Sequence, residues 1–157
     1  MSDDLTVAPG RVLKTFSLPE TAQLKNDWMH VYCANRQGVN VKSYHWHIFS
    51  SGRFPSVSGD QATQEYLLQS ATEFVILPND KTLAILTDIK PSKCNLSDYY
   101  VFPPNMAWVM AFTHEAGWLG PYFAKHPDYD ALNANNMAFI KKAHEKSLAI
   151  QKGWATD

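Results

Sequence analysis

Apolar positions recur at helical spacing in the first third of the chain. Leu24, Trp28, Val31 and Tyr32 follow i, i+4, i+7, i+8. With Pro19 near the first turn and Gly38 past the end, the pattern predicts a helix opening at Ser17. Met29 and Cys33 widen its apolar face, which makes Cys33 a small core residue and not a nucleophile. Residues 1–14 show no such periodicity and read as a loosely held N-terminal arm. Residues 39–49, VNVKSYHWHIF, have the β-branched and aromatic content of a strand. Alternation along it puts Tyr44, Trp46 and Ile48 on one face, with Ser43, His45, His47 and Phe49 on the other.

A turn-rich stretch follows, and Ser58-x-x-Gln61 reads as a capping box opening a short helix with Tyr66, Leu67 and Leu68. The apolar runs TEFVIL and TLAILTD, joined by PNDK, predict a β-hairpin. IKPSKCNLSDYYVFPPN reads as a polar connector to a third strand of the meander at 106–113. EAG then reverses the chain into WLGPYF, with Gly117 where a turn requires positive φ. Pro121 cannot donate to a ladder, so this last strand is expected to be short or at an edge. A helix over 130–152 carries Leu132, Phe139, Ile140, Ala143, Leu148, Ile150 and Trp154 as a broad apolar stripe. Lysines at 141, 142, 146 and 152 suit its negative end. The order α-β-α-β-β-β-β-α predicts an α+β fold: a four- to five-stranded antiparallel sheet with helices packed on one side. Residues 1–157 form a single domain on this reading.

Composition narrows the function classes. An apolar share of 45% and 13% aromatic residues suit a packed globular protein. Net charge is −1, and the only arginines, Arg11, Arg36 and Arg53, are scattered, which argues against nucleic acid. MSDDLTVAPG lacks the basic and apolar regions of a signal peptide, and no window has the roughly 18 apolar residues of a membrane span. Cys33 and Cys94 make no framework, so both are expected as reduced thiols in a cytoplasmic protein.

The candidate chemistry centres on histidines. A metal site needs three or four converging ligands. His45 and His47 on one strand face, with His114, form a weak candidate set, and no metal or cofactor is assigned. HEAGW is not H-E-x-x-H, because Trp118 stands at the fifth position. Nucleophile elbow, P-loop and dinucleotide fingerprint are missing. An acid–base reading enlists His114 and Glu115, with Asp98 nearby in type. His30 and His144 read as structural and His126 as a solvated loop residue. Aromatic residues crowd DYYVFPPNMAW and GWLGPYF. Tyr99, Tyr100, Trp118, Tyr122 and Phe123 cannot all face one core, so some are expected at the surface as anchors.

WHIFS (46–50), YYVFPPNMAWVMAFTHE (99–115) and GPYF (120–123) resemble a small bacterial family known only as an uncharacterised domain of about this length. Its members show W-H-x-F-S, a Trp followed by T-H-E, and then G-P-Y-F. The likeness spans roughly residues 24–125 and implies a shared fold without naming a reaction. It marks Trp46, His47, Phe49, Ser50, Thr113, His114, Glu115, Gly120, Pro121, Tyr122 and Phe123, and leaves His45 outside the pattern.

Two function classes follow. The first is a cytoplasmic, non-enzymatic module that binds a protein partner, resembling small immunity proteins that neutralise toxins. Its binding residues are Trp118, Tyr122, Phe123, Trp46 and His47, near an edge strand that a partner could extend. The second is a metal-dependent or acid–base hydrolase built on His47, His114 and Glu115. His47 is expected to approach the T-H-E segment in either case.

Overall fold

The computed structural model describes residues 6–151. In chain order the elements are β1 (Val7–Ala8), β2 (Val12–Thr15), α1 (Leu18–Tyr32), α2 (His47–Ser50), β3 (Val57–Ser58), α3 (Gly59–Leu68), β4 (Phe74–Pro78), β5 (Ile85–Thr87), β6 (Lys93–Cys94), β7 (Tyr99–Phe102), β8 (Trp108–Phe112), β9 (Tyr122–Lys125) and α4 (Tyr129–Gln151). The fold is α+β, and its pairings are antiparallel. Among the described residues the main sheet has seven strands, not four or five, in the order β2-β5-β4-β7-β8-β9-β3. β1 and β6 form a separate two-stranded ladder. No helix of the described residues is long and apolar enough to cross a membrane.

Period-two alternation splits the central strands between two cores. Val75, Leu77, Tyr100, Phe102, Val109 and Ala111 face one side, where they meet Trp28 and Tyr32 of α1 and Ile48 and Phe49 of α2. Phe74, Ile76, Tyr99, Val101, Trp108 and Met110 face the other, under Ala62 and Tyr66 of α3 and the first turn of α4. Helices therefore cover both faces of the sheet, not one. A strand buried on both faces reads as a continuous apolar run, and this hides β7 in the segment expected to be a polar connector. β7 lies between β4 and β8, with Ile76 opposite Val101 and Tyr100 opposite Ala111.

The cap of α1 is reciprocal. The Ser17 hydroxyl accepts from the Glu20 N–H at 3.2 Å, and the Glu20 carboxylate accepts from the Ser17 N–H at 2.9 Å. α1 ends at Tyr32, well before Gly38. Cys33 is buried, and that burial raises its thiol to about 12, an inert core residue. α3 begins where expected, but Ser58 makes no side-chain cap bond, and Leu67 and Leu68 face solvent.

Four expectations are corrected. Part of the supposed arm is ordered: β2 pairs with β5, and the Arg11 N–H donates to Asp88 Oδ1 at 2.7 Å. All four β2 side chains are exposed, so backbone bonds hold a segment that has no apolar pattern. Residues 39–49 are turns leading into α2, not a strand. Their amides bond elsewhere: the His45 N–H donates to Asn79 Oδ1 at 3.0 Å and the Trp46 N–H to the Tyr100 hydroxyl at 2.9 Å. β9 is short but not an edge, because β3 covers it, with Val57 opposite Phe123. Finally, α4 packs its expected apolar stripe against the core only near its N-terminal end. Its Leu132 and Asn136 are held by Asn105, while no side chain over 141–151 is buried and Phe139 is 59% exposed. Lys152 and Trp154 fall outside the described residues.

Candidate functional site

Asp98 precedes β7 by one residue and sits at the sheet end where β8 turns back into β9. Its side chain is 11% exposed and takes three donors on one oxygen. Oδ1 accepts from Trp46 Nε1 at 2.9 Å, from the His114 backbone N–H at 3.1 Å and from His114 Nδ1 at 3.0 Å. Because a carboxylate only accepts, Nδ1 carries the imidazole proton. Nε2 of the same ring lies 3.5 Å from Glu115 Oε1. Placed between two carboxylates, His114 has its pKa raised, chiefly by the Asp98 hydrogen bond.

Rings complete the cluster. Tyr44 packs on His114 at 4.8 Å and on Trp46 at 5.5 Å, while His47 stands edge-on to Trp46 at 4.6 Å. Trp46 also stacks on Tyr122 at 6.1 Å. Burial raises the Tyr122 pKa, with Glu115 adding to it and Ser50 opposing. His47 and His114 each lie against the Tyr44 and Trp46 rings, which is the link between His47 and the T-H-E segment. His45 does not join it. Its ring lies against Tyr100 and Trp28, and Nδ1 donates to the Val41 carbonyl at 2.7 Å. Among the described residues no three His, Cys, Asp or Glu side chains are arranged to hold a metal ion.

The chain between β8 and β9 is a tight loop. The Trp118 and Leu119 N–H groups donate to the Glu115 carbonyl at 3.0 and 2.8 Å, and the Thr113 hydroxyl donates to the Leu119 carbonyl. Gly117 and Gly120 hold φ of 97° and 100°. At Gly120 a Cβ would lie 2.9 Å from the Thr113 side chain, so only glycine fits. Trp118 projects from this loop with 82% of its surface exposed.

Of the proposed binding residues, Trp46, Tyr122 and Phe123 are core side chains, exposed by 1%, 6% and 2%. Trp118 and Tyr122 therefore do not form one exposed pair. Trp118 belongs to the loop, because β9 starts only at Tyr122. Tyr44 and Asn79 were not singled out by sequence. Asn79 accepts from the Tyr100 hydroxyl and donates to the Ser43 carbonyl, both at 2.8 Å, so it ties the 43–46 turn to the sheet. A polar cavity of about 640 Å³ opens beside Asp98, with Tyr44, Asn79 and Ser97 in its wall.

A model of the family described as Domain of unknown function (DUF4275) matches residues 20–123. No curated protein and no solved structure matches the chain.

Proposed function

We propose, for a chain that belongs to the DUF4275 family of domains of unknown function, a non-enzymatic role: binding a protein partner through the β8–β9 loop, with Trp118 as anchor. The observation that supports it is a tryptophan 82% exposed on a loop whose two ends are fixed. Large rings dominate binding hot spots, and a loop already ordered loses little entropy on association. The Asp98–His114–Trp46 cluster serves this role as a clamp. Its imidazole donates one proton to Asp98 and turns its other nitrogen to Glu115, which suits holding a loop more than accepting a proton from substrate. A cytoplasmic, toxin-neutralising role of the immunity type is the narrower form of the proposal.

The test is recovery of partners from the native cell with the wild-type chain and with Trp118→Ala, thermal melting being recorded on both. Anchor residues contribute on the order of 2 kcal/mol or more, roughly thirtyfold in affinity. Unchanged melting with lost recovery is the expected result; unchanged recovery refutes the loop as the interface. Rescue of growth from a co-expressed, recovered partner tests the narrower form.

The second reading, a hydrolase acting through His47, His114 and Glu115, draws on the Asp98–His114 pair beside the 640 Å³ cavity. A hydrolytic activity that His114→Gln removes without unfolding the chain would move the assignment there.

A further inference from the structure

A second cavity, about 600 Å³, lies away from the Trp118 loop, between α1, the 36–45 turns and the β4–β5 turn. Lys25, Arg36, Lys42 and Lys81 line it, against one carboxylate, Asp80. The fold thus collects cations that are scattered in sequence, in a chain whose net charge is −1. None of the four is in an ion pair among the described residues. Lys25 donates to the Asp80 carbonyl at 3.3 Å and feels the charge of the Asp80 carboxylate. His45 lines the same cavity and is 6% exposed. Its Nδ1–H is committed to Val41, and Nε2 has no partner although it is shielded from water.

We propose that this cavity binds a small phosphate-bearing anion. Four cations against one carboxylate on concave walls concentrate an anion, and the planar guanidinium of Arg36 matches two phosphate oxygens at once. Burial lowers the Lys25 pKa, and the charge of Asp80 offsets that only in part. An unpartnered buried nitrogen is destabilising, so a small movement of the His45 ring that uncovers the shielded Nε2 toward the cavity is favoured if a ligand then satisfies it. Phosphate suits that nitrogen in particular. It carries a proton at neutral pH to donate to Nε2 of the neutral ring, and oxygens to accept from the charged one. The volume lies within the range of small-molecule sites and leaves room for an organic body on the phosphate.

Inorganic phosphate titrated into the full chain at constant ionic strength, read by calorimetry and by the His45 ring nitrogen resonances, tests this. Saturable binding on the order of 1 mM or tighter is expected, with a His45 shift on saturation. Arg36→Gln with Lys42→Gln, both exposed positions, should weaken it about tenfold or more, since charge-assisted bonds are lost. Lys141→Gln with Lys146→Gln makes the same charge change on α4 and should leave it unchanged. Equal weakening by both pairs would reduce the effect to net charge and overturn the proposal. Absence of saturation, or a His45 signal that does not move, also overturns it. So does tighter binding of a single-stranded oligonucleotide that the Arg36/Lys42 pair abolishes, because the cavity would then belong to a nucleic-acid face.

Discussion

Replacing Asp98 by Ala removes the acceptor on which three bonds converge. The exposed side of the cluster recovers: His114 can turn to water. Trp46 cannot, because it is 1% exposed and its indole N–H points at the deleted oxygen. A buried donor left without a partner costs about 1–3 kcal/mol, and loss of a charged acceptor places this case in the upper half of that range. With the small packing loss, Asp98→Ala should destabilise by about 2–4 kcal/mol. Asp98→Asn keeps an oxygen at the same place and should lose about half as much, since the bond survives and only its charge assistance goes. Urea unfolding followed by tryptophan fluorescence measures this, with an unchanged m-value as the check that the unfolded state is the same. A cycle with Trp46→Phe should return a coupling of about 1 kcal/mol or more. A loss below about 0.5 kcal/mol for Asp98→Ala, within the range of ordinary surface substitutions, would refute the clamp. So would a His114 titration unmoved by the substitution, because the Asp98 hydrogen bond is the main cause of its raised pKa.

The raised pKa of His114 makes its stabilisation fully present below the unfolded value of about 6.5 and lost as pH rises through the folded value. Urea midpoints of wild type minus those of His114→Gln should fall across that window, whereas buried His45, whose pKa is lowered, destabilises on the acid side in both proteins alike. Gly120→Ala combines a φ of 100° with a Cβ 2.9 Å from Thr113 and should destabilise by about 2 kcal/mol or more. Gly117→Ala, at φ 97° with nothing within 4 Å, should lose roughly 1 kcal/mol, and equal urea midpoints for the two would refute the steric account. Ending the chain after Ile140 deletes a stretch with no buried side chain among the described residues, so the melting midpoint should stay within the shift expected for about 1 kcal/mol.

Local pattern was informative where one face meets one core. The α1 periodicity, the β4–β5 hairpin and the return of β8 into β9 all follow from it. It failed for three physical reasons. Strands buried on both faces lose alternation, so Tyr99–Phe102, buried at every position, passed for part of a connector. In residues 41–49 the reverse occurred: β-branched and aromatic residues imitated a strand while their amides went to Asn79 and Tyr100. Such bonds depend on side chains over thirty positions away, which no window of spacing contains. On α4, apolar residues at several angles looked like one stripe, but Phe139, Leu148 and Ile150 are exposed by 59%, 40% and 39%.

The site was legible in its parts and not in its assembly. WHIFS, T-H-E and GPYF do meet, as Trp46 against Tyr122 and His114. Asp98 bonds Trp46 to His114, and spacing alone could not rank it above the other carboxylates of the chain. The distinguishing property of Asp98 is low exposure combined with three donors on one oxygen, and both arise only from the fold. The same reasoning separates the aromatics. Surplus rings predicted that some would reach the surface, and Trp118 does, while Tyr122, four positions on, closes the core. Gly117 and Gly120 produce that difference. With both at positive φ, the loop turns outward at Trp118 and is back in register by Tyr122, opposite Ala111.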